Sequence, residues 1–192
     1  DPEGGYELVA GHRRHRACAL AGMDTMPVIV RELDDDAATI LMVDSNLQRE
    51  TILPSERAFA YKMKLEAMKR QAGRPTKENY SQVGNNYGTL SSEEMAAELG
   101  TSKNQVFRYI RLTELIPQLL DLVDQRKIAF NPAYELSFLK PQEQLELLDA
   151  MDSEQATPSL SQAQRLKKFS QEGRLSLDVM RAIMSEEKKS DL

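Results

Sequence analysis

SSEEMAAELGTSKNQVFRYIRL, residues 91–112, sets two short helical patterns on either side of a glycine. Met95, Ala96 and Leu99 fall at helical spacing before Gly100, and Val106, Tyr109 and Ile110 do so after it. Ser91 with Glu94, and Ser102 with Gln105, each have the three-residue spacing of a capping box. In such a box a hydroxyl and a longer polar side chain satisfy the unpaired N–H groups of a helix start. The spacing predicts a helix over residues 93–99, a turn at Gly100 and a second helix over residues 103–114. Ala96 is small where two helices cross, Gly100 tolerates a left-handed backbone, and Val106 supplies a branched core anchor. Together these are the features of a helix-turn-helix, although such helix pairs also occur as pure structure.

The outward side of the second helix carries Lys103, Asn104, Gln105, Arg108 and Arg111, with Ser102 at its start. Asn and Gln match the adenine edge bidentately in the major groove, and Arg or Lys matches guanine or holds phosphate. Residues near the N-terminus of a recognition helix reach the bases. Lys103, Asn104 and Gln105 are therefore candidates for base contacts and Arg108 for either kind of contact. Arg111 is a candidate for phosphate or a surface ion pair.

Working outward, Pro54 interrupts the preceding pattern, and Ser55 is a favourable N-cap for a helix to about residue 71. Ala58, Phe59, Tyr61, Met63, Leu65 and Met68 form its expected inner side. Arg57, Lys62, Lys64, Lys69 and Arg70 form its expected basic outer side. Residues 73–90 are polar and rich in glycine and asparagine, which predicts a mobile loop. Beyond Pro117 the chain reads as helical, with starts near Pro117, Pro132 and Pro141 and a last helical pair over about 160–171 and 176–187.

At the other end, residues 6–9 and 26–33 read as strands, the second through Val28, Ile29 and Val30. Between them a helix from His12 to about residue 21 carries Ala17, Leu20 and the lone Cys18 on an apolar side. Asp34, Asp35 and Asp36 stand where carboxylates favour a second helix start. A strand, then Gly11, then a helix start holding Arg13, Arg14 and Arg16 is an arrangement for phosphate. Helix N-terminal N–H groups are unpaired, glycine permits close approach, and arginine offers a bidentate fork. So few strands cannot close a sheet, which suggests a fragment lacking upstream sequence.

The fold class expected is α+β, predominantly α: a small N-terminal α/β unit (1–53), a helical helix-turn-helix domain (54–151) and a C-terminal helical pair (152–192). With 25 Lys and Arg against 30 Asp and Glu, the net charge of −5 does not itself announce a nucleic-acid partner; local basic patches carry that argument. One cysteine excludes an intrachain disulfide framework, and no apolar run is long enough for a membrane span. A cytoplasmic location is the expectation. His12 and His15 have no acid or cysteine at metal-ligand spacing, which argues against zinc.

Two further boxes sharpen this reading. Gly11-His12-Arg13-Arg14-His15-Arg16-Ala17 resembles the G-E-R-R-x-R-A box of ParB-type chromosome and plasmid partition proteins, and Ser45-Asn46-Leu47-Gln48-Arg49-Glu50 resembles their E-N-x-Q-R box. The helix-turn-helix follows in that family's order, and the resemblance covers roughly residues 6–151. It implies a ParB/sulfiredoxin-like first unit and a sequence-specific protein for double-stranded, palindromic DNA. It also implies a homodimer at the nucleoid, acting in partition of a chromosome, plasmid or mobile element with a partition ATPase as partner. By position it implies that Gly11, Arg13, Arg14, Arg16, Asn46 and Arg49 bind CTP, with Asn46 at magnesium, and that the dimer closes as a clamp.

His12 and Ser45 stand where the two boxes have glutamate. Losing two carboxylates weakens magnesium binding and hydrolysis more than it weakens phosphate binding by arginine, so CTP hydrolysis is not expected. Asp44 is the nearest carboxylate, turned by about 100° from Ser45 on a helix. Two alternatives remain from the sequence. One is a transcriptional regulator using the same fold without nucleotide. The other is a small-molecule phosphotransferase, since Gly11-His12-Arg13 is also similar to the G-C-H-R loop of sulfiredoxin but lacks its reactive cysteine.

Overall fold

The structure, a computed structural model, describes residues 5–49, 51–71 and 87–186, and all regular structure among them is helical. The chain divides into two units, residues 1–51 with 60–100 and residues 52–59 with 101–192. Of the expected mobile loop at 73–90, residues 73–86 lie outside the described residues, whereas residues 87–90 belong to the helix Tyr87–Glu98.

In the first unit, α1 spans His12–Leu20 and α2 spans Asp35–Leu47. The long α3, Pro54–Gln71, enters this unit from residue 60, and α4 spans Tyr87–Glu98. Asp34 caps α2 by accepting the Ala37 N–H at 2.7 Å, with Asp35 and Asp36 in the first turn, as the acidic run predicts. The predicted start of α4 is corrected. The helix begins before Ser91, and both Ser91 and Ser92 are buried within it rather than capping it. Met95 and Ala96 are buried as expected.

The strands expected at 6–9 and 26–33 are absent among the described residues. A strand persists only where a neighbour takes its N–H and C=O groups. Here Ile29 is 85% exposed, and Val28 and Val30 are exposed beside it. The α/β character predicted for this unit is therefore not seen. Nor does α1 bury a face: Leu20 is exposed, and Cys18, predicted to be a core residue, is only half-buried.

The inner side of α3 also differs from the periodic reading. Ala58, Tyr61, Leu65 and Ala67 are buried, but Phe59 and Met63 are exposed. Lys64, predicted to be on the basic outer side, is 2% exposed. Its Nζ donates to Asp44 of α2 at 2.7 Å and to Glu98 of α4 at 2.6 Å. Two carboxylates on neighbouring helices make burial of one ammonium affordable, whereas alone it would be strongly disfavoured.

The second unit holds the first residues of α3, then α5 (Lys103–Arg111), a 3-10 turn (Leu112–Glu114), α6 (Pro117–Asp124) and α7 (Phe130–Leu136). It continues with α8 (Pro141–Glu154), α9 (Leu160–Gln171) and α10 (Leu177–Met184). Pro117 and Pro141 open their helices, where a missing N–H costs nothing. Pro54 likewise opens α3, so Ser55 is not its N-cap. Ser55 instead donates its N–H to Asp124 Oδ1 at 3.0 Å and its hydroxyl to Oδ2, tying the start of α3 to the end of α6.

α9 packs on α7, and α10 packs on α8 and α9. Leu119, Leu136, Leu147, Leu166, Met180 and Ile183 form one buried cluster. α9 and α10, read from the sequence as a separate C-terminal pair (152–192), thus share the core of α6–α8. Burying each of these side chains contributes about 1.5–3 kcal/mol. Within this core Gln144 is fully buried and fully satisfied. It accepts the Ile116 N–H at 2.8 Å and donates to the carbonyls of Glu114 and Leu139 at 3.1 and 3.0 Å. That side chain sets the path of the chain between α5 and α6.

Candidate functional site

α5 is positioned by what it buries. Val106 and the following Leu112 are completely buried, and α5 packs on α7 within the second unit. Gly100 at φ +60° supplies the predicted left-handed turn before it, a conformation that costs glycine nothing. The Ser102 hydroxyl accepts the Gln105 N–H at 3.1 Å, so the second predicted helix start stands. The helix ends at Arg111 and passes directly into the 3-10 turn.

Of the six residues singled out for DNA, Ser102 and Asn104 are exposed, and Lys103 and Gln105 are half-buried. These four crowd the helix start, where the backbone dipole is positive and N–H groups are unpaired. The two arginines lie differently. Arg108 donates to Asn131 Oδ1 at 2.7 Å, and its guanidinium lies 4.8 Å from the Tyr134 ring centre and 5.2 Å from that of Phe130. Arg111 donates to the Ser137 carbonyl at 3.0 Å and lies 4.4 Å from the Phe138 ring centre. Its Nε is buried without a hydrogen-bond partner among the described residues, and the ring face offsets part of that cost. Arg108 therefore holds α5 to α7 and Arg111 holds it to the turn that follows α7, and the polar surface of α5 concentrates at its first turn.

Phe107 is the residue that periodic reading passed over. It is 41% exposed although apolar. The signal was present in the sequence: Phe107 falls off the Val106–Tyr109–Ile110 stripe and on the same side as Lys103 and Asn104.

In the first unit, Gly11 precedes α1 with φ +93°, and its carbonyl accepts the His15 N–H at 2.9 Å. The Arg14 side chain folds back over this glycine, with a guanidinium nitrogen 3.5 Å from where a Cβ would stand. Arg13, Arg14 and Arg16 are exposed, and none makes an ion pair among the described residues. Polyphosphate is the ligand chemistry that three uncommitted guanidiniums and a helix N-terminus suit.

Asn46 is half-buried and Arg49 exposed at the end of α2. No hydrogen bond joins them to residues 11–16 among the described residues. Divalent metal fits less well here. The Ser45 hydroxyl donates to the Met42 carbonyl at 2.8 Å, and the Asp44 carboxylate is held by Lys64. Burial lowers the Lys64 pKa, but its hydrogen bonds to Asp44 and Glu98 outweigh that, and the net result is raised above the ordinary lysine value. Asp44 is thus engaged by a firmly protonated partner. Among the described residues no helix is long and apolar enough to cross a membrane.

Residues 1–47 match the family model for the ParB N-terminal domain, and residues 77–161 match that for the ParB HTH domain. The chromosome-partitioning protein Spo0J of Thermus thermophilus is 34% identical over 75% of this chain and 46% of that protein. Stage 0 sporulation protein J of Bacillus subtilis is 33% identical over 75% of this chain and 44% of that protein. The nucleoid occlusion protein of Halalkalibacterium halodurans is 31% identical over 72% of this chain and 42% of that protein. The chain spans less than half the length of these curated relatives. Among solved structures, the C-terminally truncated chromosome-partitioning protein ParB of Caulobacter crescentus, complexed to the centromeric parS site, gives a TM-score of 0.48 at 23% identity. That match covers 96% of this chain and 78% of the other.

Proposed function

The chain belongs to the ParB family of partition proteins, and on that premise we propose that it binds double-stranded DNA sequence-specifically through the first turn of α5. The observation that carries this reading is the composition of that turn. Ser102 caps it, Lys103, Asn104 and Gln105 crowd it, and the buried Val106 fixes its rotation. Amide side chains at a rigid helix start have the donor–acceptor pairs that distinguish adenine in the major groove. Arg108 and Arg111 support the same function from behind, by fixing α5 on α7 and the turn that follows it. A homodimer reading a palindrome at the nucleoid, with a partition ATPase as partner, is the assembly this reading entails.

The test is selection of bound duplexes from a randomised library by the purified chain in the presence of excess nonspecific DNA. A single enriched motif with two related halves is expected, and recovery of no motif overturns the reading.

We further propose that Gly11, Arg13, Arg14 and Arg16 hold the triphosphate of CTP, with Asn46 and Arg49 in the same site. Any magnesium would then be held by the phosphates and the Asn46 amide, because Ser45 brings no negative charge and the Asp44 carboxylate is paired with Lys64. Binding without hydrolysis follows from that donor set. Calorimetry with CTP and the selected duplex, with and without magnesium, tests it. Heat of binding without turnover is expected; no binding under either condition overturns it. The alternative of a DNA-binding regulator that needs no nucleotide draws on the same engagement of Asp44, and the absence of CTP binding would favour it.

A further inference from the structure

We infer that Phe107 is a specificity-determining residue that contacts the C5-methyl group of a thymine in the bound DNA; this rests on the reading of α5 as the DNA-reading helix. Phe107 is exposed on a helix that has a buried side available, since Val106 next to it is completely buried. Four residues separate Phe107 from Lys103 and three separate it from Asn104, so on a helix it lies within about 60° of both and about 4.5–6 Å further along the axis. That is one to two base-pair steps beyond the bases the first turn would read.

The surroundings argue for an apolar feature inside a nucleic-acid surface rather than a protein-docking patch. Asn104 is exposed beside it, Lys103 and the helix N-terminus give the adjoining surface positive potential, and Arg108 follows it in the chain. An aromatic edge presented into the major groove finds one apolar group there, the thymine methyl. No acid lies in α5 to repel phosphate.

The experiment uses the duplex selected by the full chain, remade with each thymine replaced singly by deoxyuridine, which removes the methyl group and nothing else. Burial of one methyl is worth about 0.8 kcal/mol, or about fourfold in affinity. For the wild-type chain, one position in each half-site should lose about fourfold on replacement. Phe107→Ala should bind thymine and deoxyuridine duplexes equally while keeping its preference at the other positions, and Phe107→Leu should retain part of the thymine preference. A wild-type chain indifferent to every methyl, or a Phe107→Ala variant that still discriminates thymine from deoxyuridine, overturns the proposal while leaving α5 as the reading helix. Equal weakening of all duplexes by Phe107→Ala, with a lower oligomeric state, overturns it in favour of a contact between copies of the chain. Loss of all sequence preference in the wild type refutes the reading of α5 itself, and this proposal with it.

Discussion

Replacing Asp44 and Glu98 together, by Asn and Gln, leaves the ammonium of Lys64 buried without a counter-charge. Lys64 is 2% exposed, and its two ion pairs are 2.7 and 2.6 Å long. Stranding such a charge costs about 3–5 kcal/mol. The reverse deletion costs much less. In Lys64→Met the apolar stem is largely kept, and the carboxylates, 37% and 57% exposed, regain water. A cost of about 1 kcal/mol is expected there. Adding Lys64→Met to the double variant should therefore restore most of the lost stability, which is the sign of a stranded charge rather than of lost carboxylates. Native-state hydrogen exchange at α2 and α4 amides reads the first unit directly. The double variant should exchange there more than about 100-fold faster than wild type, and the triple variant within about tenfold of it. A double variant within threefold of wild type, or a triple variant no slower than the double, would refute the reasoning.

Three further outcomes follow from particular contacts. Because the folded-state Lys64 pKa is raised, its contribution to stability is fully present below the ordinary lysine value of 10.5 and is lost as pH rises through the folded value. Urea unfolding should therefore show an alkaline loss in wild type that Lys64→Met lacks. Ser102→Ala removes the acceptor for the Gln105 N–H and should cost about 1 kcal/mol, seen as a fall in Tm of roughly 2–4 °C. Arg13→Ala with Arg14→Ala should abolish calorimetrically detected CTP binding and leave binding of the selected duplex unchanged, since α1 holds none of the residues proposed to read DNA.

The helical part of the fold was legible because its signals are local. Pro117 and Pro141 at helix starts, Asp34 and Ser102 at N-caps and Gly100 in a left-handed turn each act within a few residues, and each sits where the sequence put it. What the sequence misplaced depends on partners distant along the chain. Val28–Val30 have the composition of a strand, but a strand also needs a neighbour, and composition does not supply one. Lys64 looked solvated because periodicity treats every lysine as polar; Asp44 and Glu98, 20 and 34 residues away, reverse that. Ser55 looked like a cap until Asp124 took both its donors.

The candidate site followed the same pattern. The residue types at the start of α5 were readable from spacing. That Arg108 and Arg111 turn towards α7 and the turn after it was not, because the aromatic rings that hold them lie about 25 residues further along the chain, on α7 and just beyond it. Phe107 was missed because attention went to the Val106–Tyr109–Ile110 stripe and to the polar side chains, although a helical turn of about 100° per residue sets it off that stripe and beside Lys103.

The central claim is that the first turn of α5 reads DNA sequence, and its most direct measurement compares the wild-type chain with a Lys103→Ala, Asn104→Ala, Gln105→Ala variant. Affinity for the selected duplex and for a scrambled duplex is measured at fixed salt for both. Losing two amide readers, at about 1–3 kcal/mol of discrimination each, should lower the ratio of specific to nonspecific affinity by more than about tenfold and leave weak, salt-sensitive binding to both duplexes. An unchanged ratio in the triple variant would contradict the assignment of α5 as the recognition helix.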